Sequence, residues 1–397
     1  MPQQNLYFTG REEILESLHN VLKDTGKTVL RQVIAGLGGV GKTATATEYA
    51  HRYSAEYSCV LWTLADSETS LVSGFVGFAR QLGLPEREKQ TELVEDVKQW
   101  LSSNTDWLLI LDNADNPEVV KPFLPNPCGG SILLTSRAQT FDVLSIKSPI
   151  DLGVMTPDEA LDFLKERTQR SNLPTTELTA AQELVRELGY FPLALEQAGA
   201  YLLAMKTPFT KYLTLYRERH LARLEKKKPV TGGYKGTVAT TWTMNFEQVE
   251  QESSASADLL RFSAFLAPDD IPLELIETGA SAISPTVEAA FANGETVHEL
   301  LERLTRFSLV RVDAETQTYT IHRLVQMVIQ SRMDEPTQAQ WAKSVVLAVN
   351  QAFPKVEFQN WPQCARLLPQ ALQAAVLGQQ YDLSLLELAR LLNQAGY

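Results

Sequence analysis

The sequence predicts an α/β domain, a parallel sheet with helices on both faces, followed by a helical domain, a winged-helix domain and a C-terminal all-α segment. Three observations lead to this fold class. Short, continuous apolar runs recur with room for a helix between them, which is typical of parallel strands buried on both faces. A glycine-rich segment follows the first run. After Gly153 the apolar runs give way to helical periodicity, which predicts the later domains.

Apolar runs mark the strands of the first domain. We predict four strands and a candidate fifth, at Thr28–Gly36, Cys59–Ala65, Trp107–Leu111, Ser131–Thr135 and Ser148–Gly153. Each run is rich in Val, Ile, Leu or Trp and ends near a glycine or a small polar residue, as strands do. The first domain is therefore assigned to residues 1–153.

Helical signals dominate the next stretch. Thr156, Pro157 and Glu159 form a capping-box pattern at the start of an apolar-periodic segment, and Gly189 stands where a helix of the same region ends. The segment Glu225–Gly236 is rich in lysine, glycine and proline and is interpreted as a linker. We assign residues 154–228 to a small helical domain.

The remaining sequence predicts two further parts. Residues 237–335 contain a helix, two short strands around a turn and another helix in order, which suggests a winged helix. Residues 336–397 are helical by pattern, and the spacing of Leu392, Ala395 and Gly396 partly matches the opening of a tetratricopeptide-repeat helix. An ordinary amphipathic helix is the alternative interpretation of these residues. The sequence ends within this helical pattern, so we expect a longer protein whose missing C-terminal repeats bind an unknown ligand.

Composition limits the classes of function. The 397 residues are 44% hydrophobic and 21% charged, with a net charge of −12. Such an acidic chain argues against non-specific nucleic-acid binding over its whole surface, although one local basic face stays open. No stretch reaches the ~18 apolar residues of a membrane helix, no signal-peptide pattern begins the chain, and three scattered cysteines lack metal-site spacing. We therefore expect a cytoplasmic protein without a membrane partner.

The glycine-rich segment GLGGVGKT matches G-x-x-x-x-G-K-[ST] between a predicted strand and a predicted helix. In such a P-loop the backbone amides surround phosphates, and the N-terminus of the following helix adds positive potential. Lys42 would reach the outer phosphates and the Thr43 hydroxyl would bind Mg²⁺. The predicted phosphate-binding residues are Gly36, Gly38, Gly39, Val40, Gly41, Lys42, Thr43 and Ala44.

Two later strand ends supply charged partners for this loop. Asp112 ends the apolar run of DWLLILDNAD, where its carboxylate would face the loop and bind the same Mg²⁺ ion. Arg137 follows the run of ILLTSR, where an arginine can sense the terminal phosphate. Lys42, Asp112 and Arg137 are the candidate catalytic residues, and Thr43 and Asp112 the candidate metal ligands. Asp115 is interpreted as a turn former.

Six motifs in one order resemble a known family. FTGREE, GLGGVGKT, LLILDNAD, LLTSR, FPLALEQAGAYL and TIHRLV are similar to those of the NB-ARC branch of the STAND signal-transduction NTPases, which include plant disease-resistance proteins and apoptosome-forming factors. The resemblance covers about Phe8 to Arg332. It implies a nucleotide-binding domain, a helical domain and a winged-helix domain folded around one adenine nucleotide, ADP or ATP.

The resemblance also assigns residues outside the loop. Gly10 and Arg11 of FTGRE would lie near the adenine. Pro192 of FPLAL would contact the base or ribose. His322 of TIHRLV would contact the β-phosphate of ADP; without the family context, a lone histidine is more often a structural residue.

Two positions depart from the family's pattern. Asn113 stands where a second acid often follows Asp112, and an amide cannot accept a proton from water. The triplet Met-His-Asp of the family is replaced by Ile321-His322-Arg323, so the acidic neighbour of the histidine is missing. The first departure predicts slow hydrolysis, and the second leaves the orientation of His322 open.

These features favour a signalling switch that is closed with ADP and self-associates with ATP. A DNA-binding, ATP-dependent regulator that uses its winged helix is an alternative. The basic run Arg217–Lys228 gives that alternative little support, because glutamates interrupt it. A rapid ATPase or kinase is a third hypothesis, and Asn113 argues against it.

Overall fold

The computed structural model describes residues 1–23, 30–126, 129–138, 141–144, 146, 149–225, 233–383 and 386–395. Parts of four predicted features lie outside these residues: the start of the first strand at Thr28, the start of the fifth at Ser148, most of the linker and Gly396. The chain divides into two compact units, Met1–Phe163 and Leu164–Tyr397.

The first unit contains a five-stranded parallel sheet in the order β2-β3-β4-β1-β5. Its strands are β1 (Leu30–Ala35), β2 (Cys59–Leu64), β3 (Trp107–Asp112), β4 (Ser131–Ser136) and β5 (Ile150–Asp151). Leu30 pairs with Ser131 in the register of β1 and β4. Every residue of β3 and β4 is buried, as expected for strands covered on both faces. The predicted parallel α/β sheet is confirmed.

Helices cover this sheet. They are α1 (Glu12–Leu22), α2 (Lys42–Tyr53), α3 (Glu68–Gln81), α4 (Gln90–Ser103), α5 (Pro117–Val120) and the start of α6 (Pro157–Thr168). Apolar side chains of α3 and α4, such as Phe75 and Val97, pack with Leu109 and Leu111 of β3 in one buried cluster. The predicted capping box begins α6, where Thr156 Oγ1 accepts from the Glu159 amide at 3.3 Å.

The second unit is mostly helical. Its helices after α6 are α7 (Thr175–Glu187), α8 (Pro192–Ala204), α9 (Phe209–Glu225), α10 (Gly233–Glu252), α11 (Ser254–Ser263), α12 (Leu273–Ile283), α13 (Pro285–Ala292), α14 (Val297–Arg306), α15 (Arg323–Gln330), α16 (Glu335–Ala352), α17 (Trp361–Gln380) and α18 (Leu386–Ala395). Helices α12 and α16 approach closely at Gly279, where an added Cβ would lie only 2.7 Å from the Cβ of Ala348.

A small antiparallel sheet lies within this unit. It consists of β6 (Ile271–Pro272), β7 (Val310–Asp313) and β8 (Thr318–Ile321), in the order β6-β8-β7. The succession α14, β7, β8 and α15 has the order of elements that the sequence predicts for residues 297–333.

The two ends of the predicted linker, Glu225–Gly236, lie in helices. Residues 226–232 lie outside the described part, but Glu225 ends α9 and Gly233 begins α10. Among the described residues, no helix combines the length and apolarity needed to cross a membrane.

Candidate functional site

The glycine-rich loop joins β1 to α2, and the local backbone conformation explains why glycine occupies two of its positions. Gly36 has φ of +147°, and a Cβ there would lie 2.6 Å from the carbonyl oxygen of Leu152. Gly41 has φ of +100°, with no atom within 4 Å of the position that a Cβ would take. The loop therefore needs glycine for backbone conformation and leaves open space beside Gly41.

The N-terminus of α2 adjoins this space and has no side-chain cap. Gly41 is its N-cap and offers no side-chain acceptor, and the first turn contains no acidic residue. The first amides of a helix have no partner within the helix, and the helix dipole makes them attractive to negative charge. The predicted residues Gly38, Gly39, Val40 and Ala44 lie in the loop or in the first turn of α2. The arrangement is suited to a phosphate group.

Lys42 lies at the start of α2 with its ammonium turned back over the loop. Its Nζ donates to the carbonyl oxygens of Gly36 and Leu37, each at 2.9 Å. Burial lowers the pKa of Lys42 to about 8, and Asp115 and Asp112 partly oppose this shift. A buried ammonium of this kind gains stabilisation from any added negative charge.

Asp112 connects the loop to the ends of β3 and β4. The hydroxyl of Thr43 lies 2.9 Å from Oδ1 and 3.2 Å from Oδ2 of Asp112. The hydroxyl of Thr135 donates to the same carboxylate and accepts the Asn113 amide at 3.0 Å. Asp112 is only 3% exposed, and burial raises the pKa of its carboxyl although the hydrogen bonds from Thr135 and Thr43 oppose the rise.

This pair of oxygen ligands fits magnesium. Mg²⁺ prefers oxygen and typically takes one or two protein ligands, completing its shell with phosphate and water. Thr43 and Asp112 supply one hydroxyl and one carboxylate side by side. The described residues contain no group of three or more His, Cys, Asp or Glu side chains arranged for a metal.

Arg137 has a partner that the sequence analysis did not assign. Asp115 accepts its backbone amide at 2.7 Å and its Nε at 2.7 Å. Burial raises the pKa of Asp115, but the hydrogen bonds and charge of Arg137 outweigh it and leave the pKa below its ordinary value. The arginine is 54% exposed. Asp115 is therefore more than a turn former, because it holds the candidate phosphate sensor.

The backbone at Asn113 has φ of +61°. Asparagine and aspartate adopt this left-handed region more readily than most residues. The amide side chain at this position is therefore compatible with the local conformation, and an aspartate is equally compatible.

Gly10 and Arg11 lie next to the end of β5 and the start of α6. The Arg11 guanidinium donates to the carbonyls of Gly153 at 2.7 Å and Val154 at 3.2 Å. Its amide donates to Glu159 at 2.7 Å, and a Cβ at Gly10 would overlap that glutamate. The structure thus gives both residues a structural role in the first unit, and their predicted place near an adenine stays a prediction.

Pro192 and His322 lie in the second unit. Pro192 is the first residue of α8, and His322 is the N-cap of α15, with Nδ1 accepting the Leu324 amide at 3.1 Å. The neighbouring Arg323 lies 3.4 Å from Asp269, so an acid is present beside this motif although the sequence triplet lacks one. In the neutral ring, acceptance at Nδ1 leaves the proton on Nε2.

Two family models match parts of the chain. One is described as an AAA domain and covers residues 13–126, and the other is described as Domain of unknown function (DUF7779) and covers residues 246–338. The first match includes β1, the glycine-rich loop, α2, β2 and β3. The second includes the small antiparallel sheet and His322.

Curated relatives match most of the chain. A nucleotide-binding leucine-rich repeat (NLR)-like protein of Hyaloscypha variabilis is 26% identical over 93% of this chain and 39% of its own length. The regulatory protein AfsR of Streptomyces coelicolor is 28% identical over 81% of this chain and 32% of its own length. The chain thus spans between 32% and 39% of the length of these relatives.

A solved structure shares the fold. It is the Signal Transduction ATPase with Numerous Domains (STAND) protein with a tetratricopeptide repeat sensor from Pyrococcus horikoshii, with a TM-score of 0.52 and 13% identity. The match covers 99% of this chain and 59% of that one.

Proposed function

The chain is a P-loop NTPase of the NB-ARC and STAND type, and on this premise we propose that it is a signalling switch gated by an adenine nucleotide. The carrying observation is the assembly at the loop. An uncapped helix N-terminus, a buried ammonium with a lowered pKa and a hydroxyl–carboxylate pair meet there. Each of the three favours a polyphosphate with its magnesium ion.

Different residues of the chain would bind the phosphates and the metal ion. The amides from Gly38 to Ala44 hold the phosphates, and Lys42 exchanges its bonds with loop carbonyls for bonds with phosphate oxygens. Thr43 and Asp112 would hold Mg²⁺, which would supply positive charge against the phosphates. Thr135 keeps the Asp112 carboxylate in position through its hydroxyl.

We propose two states for the switch. ADP stabilises a closed form to which Gly10, Arg11, Pro192 and His322 contribute, and ATP favours an open form that self-associates. One charged hydrogen bond contributes ~1.5–3 kcal/mol, so a single contact from His322 to a phosphate would bias the two forms roughly 10- to 150-fold. That is sufficient for regulation without rapid turnover.

Slow hydrolysis belongs to the same proposal. Asn113 cannot accept a proton, and Asp115 is engaged by Arg137 at 2.7 Å. A carboxylate that is paired with arginine and has a lowered pKa is a weak general base. The nucleotide would therefore persist long enough to report a state.

The proposed organisation keeps the boundaries of the sequence prediction: 1–153 for nucleotide binding, 154–228 for the helical domain, 237–335 for the winged helix and 336–397 for the C-terminal helices. The elements from α14 to α15 support the winged helix by their order. A repeat sensor that binds the triggering ligand remains a prediction.

The competing proposal, a regulator that binds duplex DNA through the winged helix, has less support. Several arginines of this region are ion-paired within the described residues: Arg303 with Glu295, Arg306 with Glu252 and Arg323 with Asp269. Because paired cations contribute less to phosphate contacts, a strongly basic DNA-binding face is not indicated.

The test starts from the purified protein. We expect that denaturation releases ADP, identified by chromatography, and that Lys42→Ala lowers both the occupancy and the affinity for added ADP about tenfold or more. Lys98→Ala is the matched control, because Lys98 pairs with Glu95 on the surface of α4. A nucleotide-free wild type that binds ADP only at millimolar concentration would overturn the proposal. A salt-dependent shift of duplex DNA by that same protein would favour the competing one.

A further inference from the structure

The pair formed by Asp115 and Arg137 lies beside the phosphate loop and joins the last residues of two sequence motifs, LLILDNAD and LLTSR. Asp115 follows the end of β3 by three residues, and Arg137 directly follows β4, its neighbour in the sheet. One carboxylate oxygen accepts the Arg137 amide and the other accepts Nε, both at 2.7 Å. A single carboxylate therefore holds Arg137 both at its backbone amide and at its guanidinium.

The position of the pair relative to Lys42 gives it a consequence for phosphate binding. Asp115 and Arg137 both act on the charge of Lys42, the first favouring and the second opposing its protonated form. The three charged groups therefore share one electrostatic environment at the loop. A terminal phosphate entering it would compete with Asp115 for the same guanidinium, because both are oxyanions that arginine binds in a bidentate manner.

We propose that Asp115 is a specificity-determining residue that lowers the preference of the site for nucleoside triphosphate over diphosphate by occupying Arg137. This inference rests on the proposed function, since it requires that the loop binds nucleotide. In the diphosphate state Arg137 stays on Asp115. In the triphosphate state Arg137 must leave Asp115 or be shared between Asp115 and the γ-phosphate. Weakening the pair costs free energy, and this cost lowers the affinity for triphosphate but not for diphosphate.

The exposure of the pair sets the size of the effect. Arg137 is 54% and Asp115 25% exposed, so solvent screens their attraction. Pairs of this kind are weak, and their loss changes an equilibrium about two- to fivefold. The expected effect is therefore a shift of the ratio of two dissociation constants within that range, with no large change in overall binding.

Asp115→Asn is a conservative test variant. The backbone around it is fixed independently, since the Asn113 amide bonds to Thr135 Oγ1 at 3.0 Å and the Ala114 amide to the Thr135 carbonyl at 2.8 Å. The asparagine keeps the shape of the side chain and an oxygen that accepts hydrogen bonds, but it removes the charge that competes with phosphate. A thermal melt checks that the variant is folded.

The experiment measures the dissociation constants of ADP and of a non-hydrolysable ATP analogue by calorimetry with Mg²⁺. We expect Asp115→Asn to raise the preference for the analogue about two- to fivefold, and Arg137→Gln to lower it. In the double variant the Asp115 substitution has no further effect on the ratio. Asp66→Asn, which removes a charge beyond the end of the neighbouring β2, controls for general electrostatics and leaves the ratio unchanged.

Three outcomes would overturn the inference. An unchanged ratio in Asp115→Asn means that the carboxylate does not compete with the γ-phosphate. A lowered ratio means that Asp115 instead presents Arg137 to it. If Asp115→Asn changes the ratio equally in the wild type and in Arg137→Gln, the effect of Asp115 does not act through the arginine. In all three cases the wild type still binds nucleotide and the proposed function stands, whereas a wild type that binds neither ligand refutes both.

Discussion

The backbone amide of Arg11 lies 2.7 Å from Oε1 of Glu159, a residue 148 positions later in the chain. The other oxygen of the same carboxylate accepts the Thr156 amide at 2.8 Å. One glutamate thus completes the capping box of α6 and fixes the start of α1. Burial raises the pKa of Glu159, but these amide hydrogen bonds and the charge of Arg11 outweigh it and lower the pKa below its ordinary value.

Glu159→Gln should therefore reduce stability in a pH-dependent way. A carboxylate with a lowered folded-state pKa stabilises the fold above its unfolded-state pKa, and this contribution is lost as the pH falls through the folded-state value. We expect a loss of about 1 kcal/mol at pH 7 that shrinks below about pH 4. Urea denaturation of both proteins at several pH values measures it. Asp158→Asn, in the same helical turn, is the control, and a loss that is constant with pH would contradict the assignment.

Thr135→Val should destabilise the first unit. The substitution keeps the shape of the side chain but leaves the buried Asp112 carboxylate without one donor and the Asn113 amide without its acceptor. An unpaired buried polar group costs about 1–3 kcal/mol. Thr135→Ser retains the hydroxyl and should cost much less. Denaturation curves of the two variants decide the matter, and equal stability of Val and Ser variants would show that the hydroxyl is dispensable.

Asn113→Asp should accelerate hydrolysis. The wild type should turn over more slowly than about one ATP per second, and a carboxylate at this position supplies a proton acceptor that contributes tenfold or more. The φ of +61° tolerates aspartate, so the backbone is retained. Phosphate release at saturating ATP is the measurement. Asn116→Asp is the control, because Asn116 caps α5 and aspartate is an equally good cap. Fast turnover by the wild type would be incompatible with this prediction.

His322 has a structural role that must be separated from phosphate binding. Its Nδ1 caps α15 by accepting the Leu324 amide at 3.1 Å. His322→Ala loses the cap, at about 1 kcal/mol, whereas His322→Asn keeps a capping oxygen. We expect both variants to release a fluorescent ADP about tenfold faster or more, and only the alanine to lower the melting temperature. Wild-type release from the asparagine variant would mean that the histidine acts through the cap.

Burial explains why the sheet was predictable. β3 and β4 are buried at every position, so their sequences are largely continuous apolar runs. The motif G-x-x-x-x-G-K-[ST] spans eight consecutive residues and is visible in the sequence without the fold. Thr43 and Asp112 are also predicted, from the P-loop motif and from the end of an apolar run, and the Thr43 hydroxyl lies 2.9 Å from Asp112 Oδ1.

The partners across strands were less predictable. Thr135 and Asp115 bond to residues more than 20 positions away, Asp112 and Arg137, because β3 and β4 are neighbours in the sheet. Apolar runs reveal which segments are strands but contain no information about their order. Arg11 is a similar case, since its guanidinium binds carbonyls 142 and 143 positions away.

The strand order has a consequence for how the protein is made. β1 pairs with β4 and β5, and contacts between segments about a hundred residues apart form slowly because a long loop must close first. Synthesis proceeds from the N-terminus, so β1 and the glycine-rich loop leave the ribosome before either neighbouring strand exists. The loop is thus translated before the strands that flank β1 and fixed in place only after them, and a nascent chain that stops short of Ser136 lacks a complete β4 to anchor it.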